Sequence, residues 1–384
     1  MRFVGGYIWF GIGKRIITVR FRDSSYSGVV WLMVVDQGKL DAFIGKAISE
    51  WGAAAGVLLV FVGDKLGLFK AMSGAGPLSP EDLARKTGTH ARVIKEWLNA
   101  MAAGGYVTYN SKTRTYLLPE EQAFALTEEN SPAYVAGAFQ VFSGLFKDEE
   151  KILQAFKTGK GLGWGDHNHD LFEGTERFFK PGYIANVTSS WIPALEGVEA
   201  RLKKGGAKIA DVGCGHGAST LLMAKAYPNS KIIGFDYHKP SVDWARKQAE
   251  KEHLKNVSFE VAGATDYPGN DYDLVAFFDC LHDMGNPSGA AAHVLQTLKQ
   301  KKGTWMIVEP FAHDKVEDNL NPVGRVFYSA STLVCVPASL NENGPGLGAQ
   351  AGEAKLRELI TSAGFTTFRQ AAQTPFNLIL EARP

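Results

Sequence analysis

The sequence has few cysteines and no excess of charge of either sign. Only Cys214, Cys280 and Cys335 are present, an odd number without CxxC spacing. That fits reduced thiols in a cytoplasmic protein better than a disulfide framework or a zinc site. Each reads as a small apolar residue near a site. Lys and Arg total 41 against 40 Asp and Glu, a formal charge of +1, so no global electrostatic footprint argues for nucleic acid or an anionic membrane. Long apolar runs are also missing. Residues 3–13 after Arg2 resemble a weak signal peptide, but the run is far shorter than the roughly 20 residues that span a bilayer. Lys14 and Arg15 follow it, without a small-residue cleavage site. Met33 is an alternative start, because helical patterning begins just after it, and residues 1–35 are read as an N-terminal extension. Residues 56–63 are apolar but end at Asp64-Lys65, so no membrane-spanning segment is expected.

What is present is a globular composition, 45% hydrophobic, 11% aromatic and 21% charged over 384 residues, long enough for two domains. Residues 36–185 read as mainly helical. Ser79-Pro80-Glu81-Asp82 supplies an N-cap, an N1 proline and first-turn acids for a helix over 81–87. A second helix over 91–103 and two strands, 106–109 and 115–118 around the turn 110–114, complete a winged-helix pattern. Such a unit binds DNA or serves as a dimerisation and lid element. Its second helix carries only Arg92 and Lys95 as basic residues, offset by Glu96, too few for phosphate and base contacts; the dimerisation reading is preferred, with a homodimer expected. Residues 127–200 read as further helices, with Phe172, Phe178, Phe179, Tyr183 and Trp191 interrupted by Pro181-Gly182 and Pro193. Within them His167-Asn168-His169-Asp170 offers metal-ligand types. No second His/Asp set accompanies it; these residues are read as a solvated loop, and no metal is expected.

From Lys208 the pattern alternates strand and helix: strands over 208–212, 231–235, 257–261, 272–278 and 305–309, with helices over 218–227, 241–253 and 353–363. Strands 366–371 and 377–382 close it. Alternation of this kind predicts an α/β fold, a parallel sheet with helices on both faces, doubly wound and Rossmann-like, over residues 186–384. Asp211-Val-Gly213-Cys214-Gly215-His-Gly217 falls between the first strand and its helix, where glycines permit a tight turn and close approach of a ligand. Asp236 ends the second strand about 20 residues on, placed to accept hydrogen bonds from ribose hydroxyls. Together they indicate an adenosine-containing cofactor. The glycines read GxGxG rather than the GxGxxG that seats a pyrophosphate, which favours S-adenosyl-L-methionine over a nicotinamide.

The segments IADVGCGHG, GFD and YDLVAFFDCLHD resemble the class I S-adenosylmethionine-dependent methyltransferases over roughly residues 190–384. With the winged-helix pattern, Leu281-His282-Asp283 and Val308-Glu309-Pro310, the chain is similar to the small-molecule O-methyltransferases of the plant phenolic type and their microbial relatives. The resemblance implies His282 as general base and Glu309 as its orienting partner. It also implies a cofactor pocket of Asp211, Gly213, Cys214, Gly215, Gly217, Asp236, Tyr237, Ala264, Phe278 and Asp279. Two departures stand out: the end of the third strand reads Val261-Ala-Gly263-Ala264-Thr265-Asp266, which does not repeat the family's pattern of an acidic residue near the adenine, and Gln350 stands near where a second catalytic Glu is expected. The acceptor pocket is expected from 172–191, Phe311 and 325–328, with Arg325 a candidate for an acceptor carboxylate. The competing classes are a winged-helix regulator that senses S-adenosylmethionine and a protein methyltransferase. Phe278-Asp279-Cys280-Leu281 does not match the Asn/Asp-Pro-Pro-aromatic signature of base N-methyltransferases.

Overall fold

The computed structural model describes residues 32–299 and 302–384, with side chains from Val35 onward, and the backbone of strands β1 (Phe3–Val4), β2 (Tyr7–Ile12) and β3 (Arg15–Arg20). With β4 (Leu32–Asp36) these pair antiparallel in the order β1-β2-β3-β4. Beyond those backbone strands, the leader and start-site readings of residues 1–32 fall outside the described residues. The chain divides into two compact units, Met1–Leu118 and Pro119–Pro384.

In the first unit Asp36 caps a helix over Gln37–Lys65 by accepting from the Lys39 amide. Gly63 lies where a Cβ would come within 2.4 Å of the Trp97 ring, and Trp97 Nε1 donates to the Leu59 carbonyl at 2.9 Å. Phe43, Ile48 and Trp51 on the same helix are exposed. Its start at Gln37 carries the apolar stretch well upstream of 56–63. By length and composition alone this helix and the segment Pro322–Asn341 are apolar enough to span a bilayer, a test that the core helix of a soluble protein also passes. A capping box between Ser79 and Asp82 starts Pro80–Thr87, and Ala91–Ala103 follows. The strands β5 (Thr108–Asn110) and β6 (Thr115–Leu117) form the wing. β5 begins later than the sequence suggested because the Tyr106 and Val107 amides turn back to the Met101 carbonyl at the helix end.

The second unit holds a seven-stranded sheet in the order β12-β13-β11-β10-β7-β8-β9. Its strands are β7 (Lys208–Val212), β8 (Lys231–Asp236), β9 (Val257–Val261), β10 (Leu274–Phe278), β11 (Thr304–Pro310), β12 (Thr367–Gln373) and β13 (Asn377–Arg383). β7 to β11 are parallel, as the alternation implies. β12 and β13 are antiparallel, because the short turn between them is too brief for a crossover. The chain runs outward in both directions from β7, through β8 and β9 on one side and through β10 and β11 on the other. That reversal opens a crevice at the carboxyl ends of β7 and β10, where open α/β sheets bind ligands. Phe277 and Trp305 pack on one face of the sheet, Trp191 and Phe278 on the other.

Two helices stand over this crevice, Ala136–Lys147 and His169–Asn186. Glycines let their backbones meet: a Cβ on Gly137 would lie 2.5 Å from the Phe178 amide, on Gly144 2.9 Å from the Leu171 amide, and on Gly174 2.6 Å from the Val141 amide. His169–Asn186 runs unbroken through Pro181-Gly182, where the sequence suggested an interruption; this packing overrides the local breaker. Gly174→Ala is expected to cost about 1–3 kcal/mol, since backbone must shift to admit the methyl group. Chemical denaturation of wild type and variant measures it, and an unchanged midpoint would contradict the close approach. Pro193 is accommodated differently. A π-helical turn, Val187–Trp191, precedes it, with the Ile192 amide donating to the Val187 carbonyl. A second π turn, Ser331–Cys335, precedes Pro337 in the same way, the Val336 amide donating to Ser331. Each wider turn absorbs the donor and space that the proline ring removes.

Candidate active site

The loop after β7 holds its shape through left-handed glycines, Gly213 at φ 73°, Gly215 at 51° and Gly217 at 82°. The Gly213 and Cys214 amides both donate to the Phe235 carbonyl, tying the loop to β8. Gly213 leaves room for Cys280 at the end of β10, whose Sγ would stand 2.7 Å from an added Cβ. A cavity of about 590 Å³ opens here, with Gly213, Cys214 and Gly215 in its wall. Gly217 lies elsewhere, against Phe259 and Ala245, and serves helix-to-sheet packing.

Asp236 ends β8 facing the cavity. One carboxylate oxygen accepts from the Gly215 amide and the other from the His238 amide, both at 2.8 Å, so a side chain on one strand fixes the loop of the next. Each oxygen keeps a lone pair for a ligand, and burial raises its pKa. Asp211 is fully buried behind the loop and does not line the cavity. Its Oδ2 accepts from Ser219 and Thr220 at 2.7 and 2.6 Å, its Oδ1 is buried without a partner, and burial lifts its pKa to about 6. Tyr237, Ala264, Phe278 and Asp279 complete the wall on this side. Asp266 folds back to accept from the Gly263 amide at 2.9 Å.

Asp279 adopts a left-handed φ of 51°. Tyr183 donates to one of its oxygens at 2.9 Å and Asn377 to the other at 3.1 Å. Burial, reinforced by Glu309, raises its pKa to about 7. Just beyond it, His282 is buried at the cavity wall and its Nδ1 meets Glu309 Oε2 at 2.5 Å. The other Glu309 oxygen accepts from the Leu281 amide at 3.0 Å, so the carboxylate fixes both the ring and the turn that carries it. Burial is the largest single influence and disfavours the imidazolium, but Glu309 and Cys335 together outweigh it; the pKa of His282 is raised well above its ordinary value.

Asp283 also lines the cavity, and burial raises its pKa to about 7 from 3.8. Between those values the folded protein holds the proton that the unfolded chain releases, so this contribution to stability falls as pH rises from about 4 to 7. Asp283→Asn is therefore expected to melt higher relative to wild type at pH 8 than at pH 5. Equal differences at the two pH values would contradict a buried carboxyl.

Phe172, Phe178, Phe179 and Tyr183 line the far side of the cavity together with Trp164 and Phe142. Trp191 is instead in the core beneath the sheet. Val326 and Phe327 reach the wall, whereas Phe311, Arg325 and Tyr328 do not. Gln350 is likewise outside it, donating to the Phe311 and Ala349 carbonyls at 3.0 Å. Sequence reasoning missed Glu176, which bonds His216 of the glycine loop at 2.8 Å, and the Asn377 contact, since neither carries a local motif. The 167–170 segment is not solvated as expected: His167 and Asp170 are buried, His167 meeting Asp148 at 3.1 Å and Asp170 pairing with Gln140 and Lys147. Among the described residues no group of three or more His, Cys, Asp or Glu is placed to hold a metal ion.

Residues 203–361 match the family model described as a methyltransferase domain, and residues 53–128 match that of an Rv2258c-like winged HTH domain. The (S)-tetrahydroprotoberberine N-methyltransferase of Eschscholzia californica is 30% identical over 104 residues, 27% of this chain and 27% of that protein. The (S)-coclaurine N-methyltransferase of Thalictrum flavum subsp. glaucum is 30% identical over 149 residues, 35% of this chain and 39% of that protein. The matched stretch thus spans less than half the length of these curated relatives. Among solved structures, mitomycin 7-O-methyltransferase superposes with a TM-score of 0.68 at 14% identity, covering 91% of this chain and 99% of that one. Human N-acetylserotonin methyltransferase, solved with S-adenosylmethionine, gives 0.60 at 18% identity over 88% and 97%. At these identities the likeness is one of fold.

Proposed function

We propose, from the premise that residues 203–361 are a methyltransferase domain and residues 53–128 a winged HTH domain, that the chain transfers a methyl group from S-adenosylmethionine to a hydroxyl of a small molecule. The supporting observation is the His282–Glu309 pair at the wall of the same cavity that the glycine loop and Asp236 enter. The residues fit the cofactor. Asp236 keeps lone pairs for the ribose, Gly213 and Gly215 present backbone without side chains, and Phe278 and Ala264 give apolar cover. When bound, S-adenosylmethionine supplies a methyl group on a positively charged sulfur.

The chain's own residues orient the acceptor and move its proton. Glu309 holds His282 Nδ1, so the acceptor would be met by Nε2, in exchange for the contact the ring makes with the Cys335 thiol. As the acceptor oxygen is methylated its proton would pass to Nε2, and Glu309 would stabilise the resulting imidazolium. The aromatic wall holds a flat acceptor and excludes water. The reading extends to a cytoplasmic homodimer without nucleic-acid or membrane partners. Residues 36–185 then serve dimerisation, and the helices over the cavity serve as its lid; the exposed Phe43, Ile48 and Trp51 support a partner surface. The N-methyltransferase relatives favour a second reading, an amine acceptor. Radiolabelled transfer to a panel of phenols, their O-methyl ethers and matching anilines separates the two. Labelled phenols with inert ethers and anilines support the hydroxyl reading; labelled anilines with inert phenols overturn it.

A further inference from the structure

Apart from the His216 and His282 rings, each paired with a glutamate, the charged side chains of the cavity wall are acidic. Glu176, Asp236, Asp279, Asp283 and Glu342 line it, and no Lys or Arg does so among the described residues. Asp236 and Asp279 belong to the half formed by the glycine loop and the ends of β8 and β10. The half bounded by His282 and the aromatic wall keeps Glu176, Asp283 and Glu342. Glu176 is engaged by His216 at 2.8 Å, and Glu342, exposed at the rim, accepts from the Gly285 amide at 3.0 Å. Arg325, which the sequence offered as a partner for an acceptor carboxylate, is exposed and outside the wall, although its neighbours Val326 and Phe327 are part of it.

Resting on the methyltransferase reading, we propose that this cavity selects aromatic acceptors that carry no carboxylate or phosphate, Asp283 and Glu342 rejecting the anionic ones. Above about pH 7, where Asp283 is ionised, like charges brought together here repel; the His282 and His216 rings are balanced by Glu309 and Glu176, and no Lys or Arg of the wall among the described residues offsets Asp283 and Glu342. The aromatic side chains meanwhile reward flat, apolar surface. A neutral hydroxyaromatic therefore loses little on entry, whereas its carboxylate analogue leaves water for a site without a counter-charge.

The test is calorimetry at pH 8, above the Asp283 value of about 7, on the full chain saturated with S-adenosylhomocysteine, titrated with hydroxyaromatic carboxylates such as 6-hydroxy-2-naphthoate, each beside its primary amide. The amide is expected to bind at least about tenfold more tightly, and the ratio to fall toward one in the Asp283→Asn/Glu342→Gln variant. The variant's own S-adenosylhomocysteine affinity reports that it is folded. Carboxylates that bind as well as their amides, a ratio unchanged by the two substitutions, or no binding by either member of any pair would each overturn the proposal. Failure of S-adenosylhomocysteine to bind wild type would instead overturn the cofactor reading on which it rests.

Discussion

Replacing His282 by alanine is expected to lower methyl transfer by about 10²–10⁴-fold, the usual worth of a positioned general base, while S-adenosylhomocysteine still binds with near wild-type affinity. His282 stands at the wall, one nitrogen taken by Glu309, so its loss removes proton transfer without touching the loop that holds the cofactor. The pH dependence carries the same argument. Glu309 raises the pKa of His282, so the base is protonated and idle below that value and kcat/KM rises with pH, with a midpoint above the ordinary histidine range. Glu309→Gln is expected to move this limb to lower pH and to reduce the plateau. A midpoint unmoved by the substitution, or His282→Ala with normal turnover, would remove His282 from the chemistry.

The second large effect belongs to Asp236. Its substitution by alanine is expected to weaken S-adenosylhomocysteine binding by about 100-fold or more, since a charged acceptor contributes about 1.5–3 kcal/mol per hydrogen bond and the ribose offers two donors. The Gly215 and His238 amides also lose their acceptor, so the loop loosens as the ligand contact goes. Calorimetry measures the affinity, and thermal melting separates loss of binding from loss of folding. Unchanged affinity in a folded variant would show that the ribose lies elsewhere.

How much the sequence revealed depended on whether the cause was local. The glycine loop, the acid ending β8, the Ser79 capping box and the five parallel strands are set by neighbours in the chain, and their residues stand where the pattern put them. His282 and Glu309, identified by resemblance, do meet. What was not legible came from packing between distant segments. Pro181-Gly182 reads as a break until Gly137, Gly144 and Gly174 bring two helices into backbone contact. His167 reads as a loop residue until Asp148, 19 positions away, buries it. Asn377 reaches Asp279 from a strand 98 positions on, and Glu176 reaches His216 across 40. No window of sequence contains both partners of such a pair.

The π turn at Ser331–Cys335 amounts to one residue more than an α-helical path between the same ends would need. Deleting its extra residue would leave the flanking helix in register, whereas closing the turn to an α-helical one with every residue kept would turn each following side chain by about 100° around the axis. Ala338 would leave the cavity wall, and Ser339 would lose the bond its hydroxyl donates to the Met284 carbonyl at 2.9 Å, beside the turn that carries His282. The extra residue thus keeps the acceptor side of the cavity in phase only while the turn stays wide: collapse of the turn with that residue retained would rewrite the wall, and its removal would not.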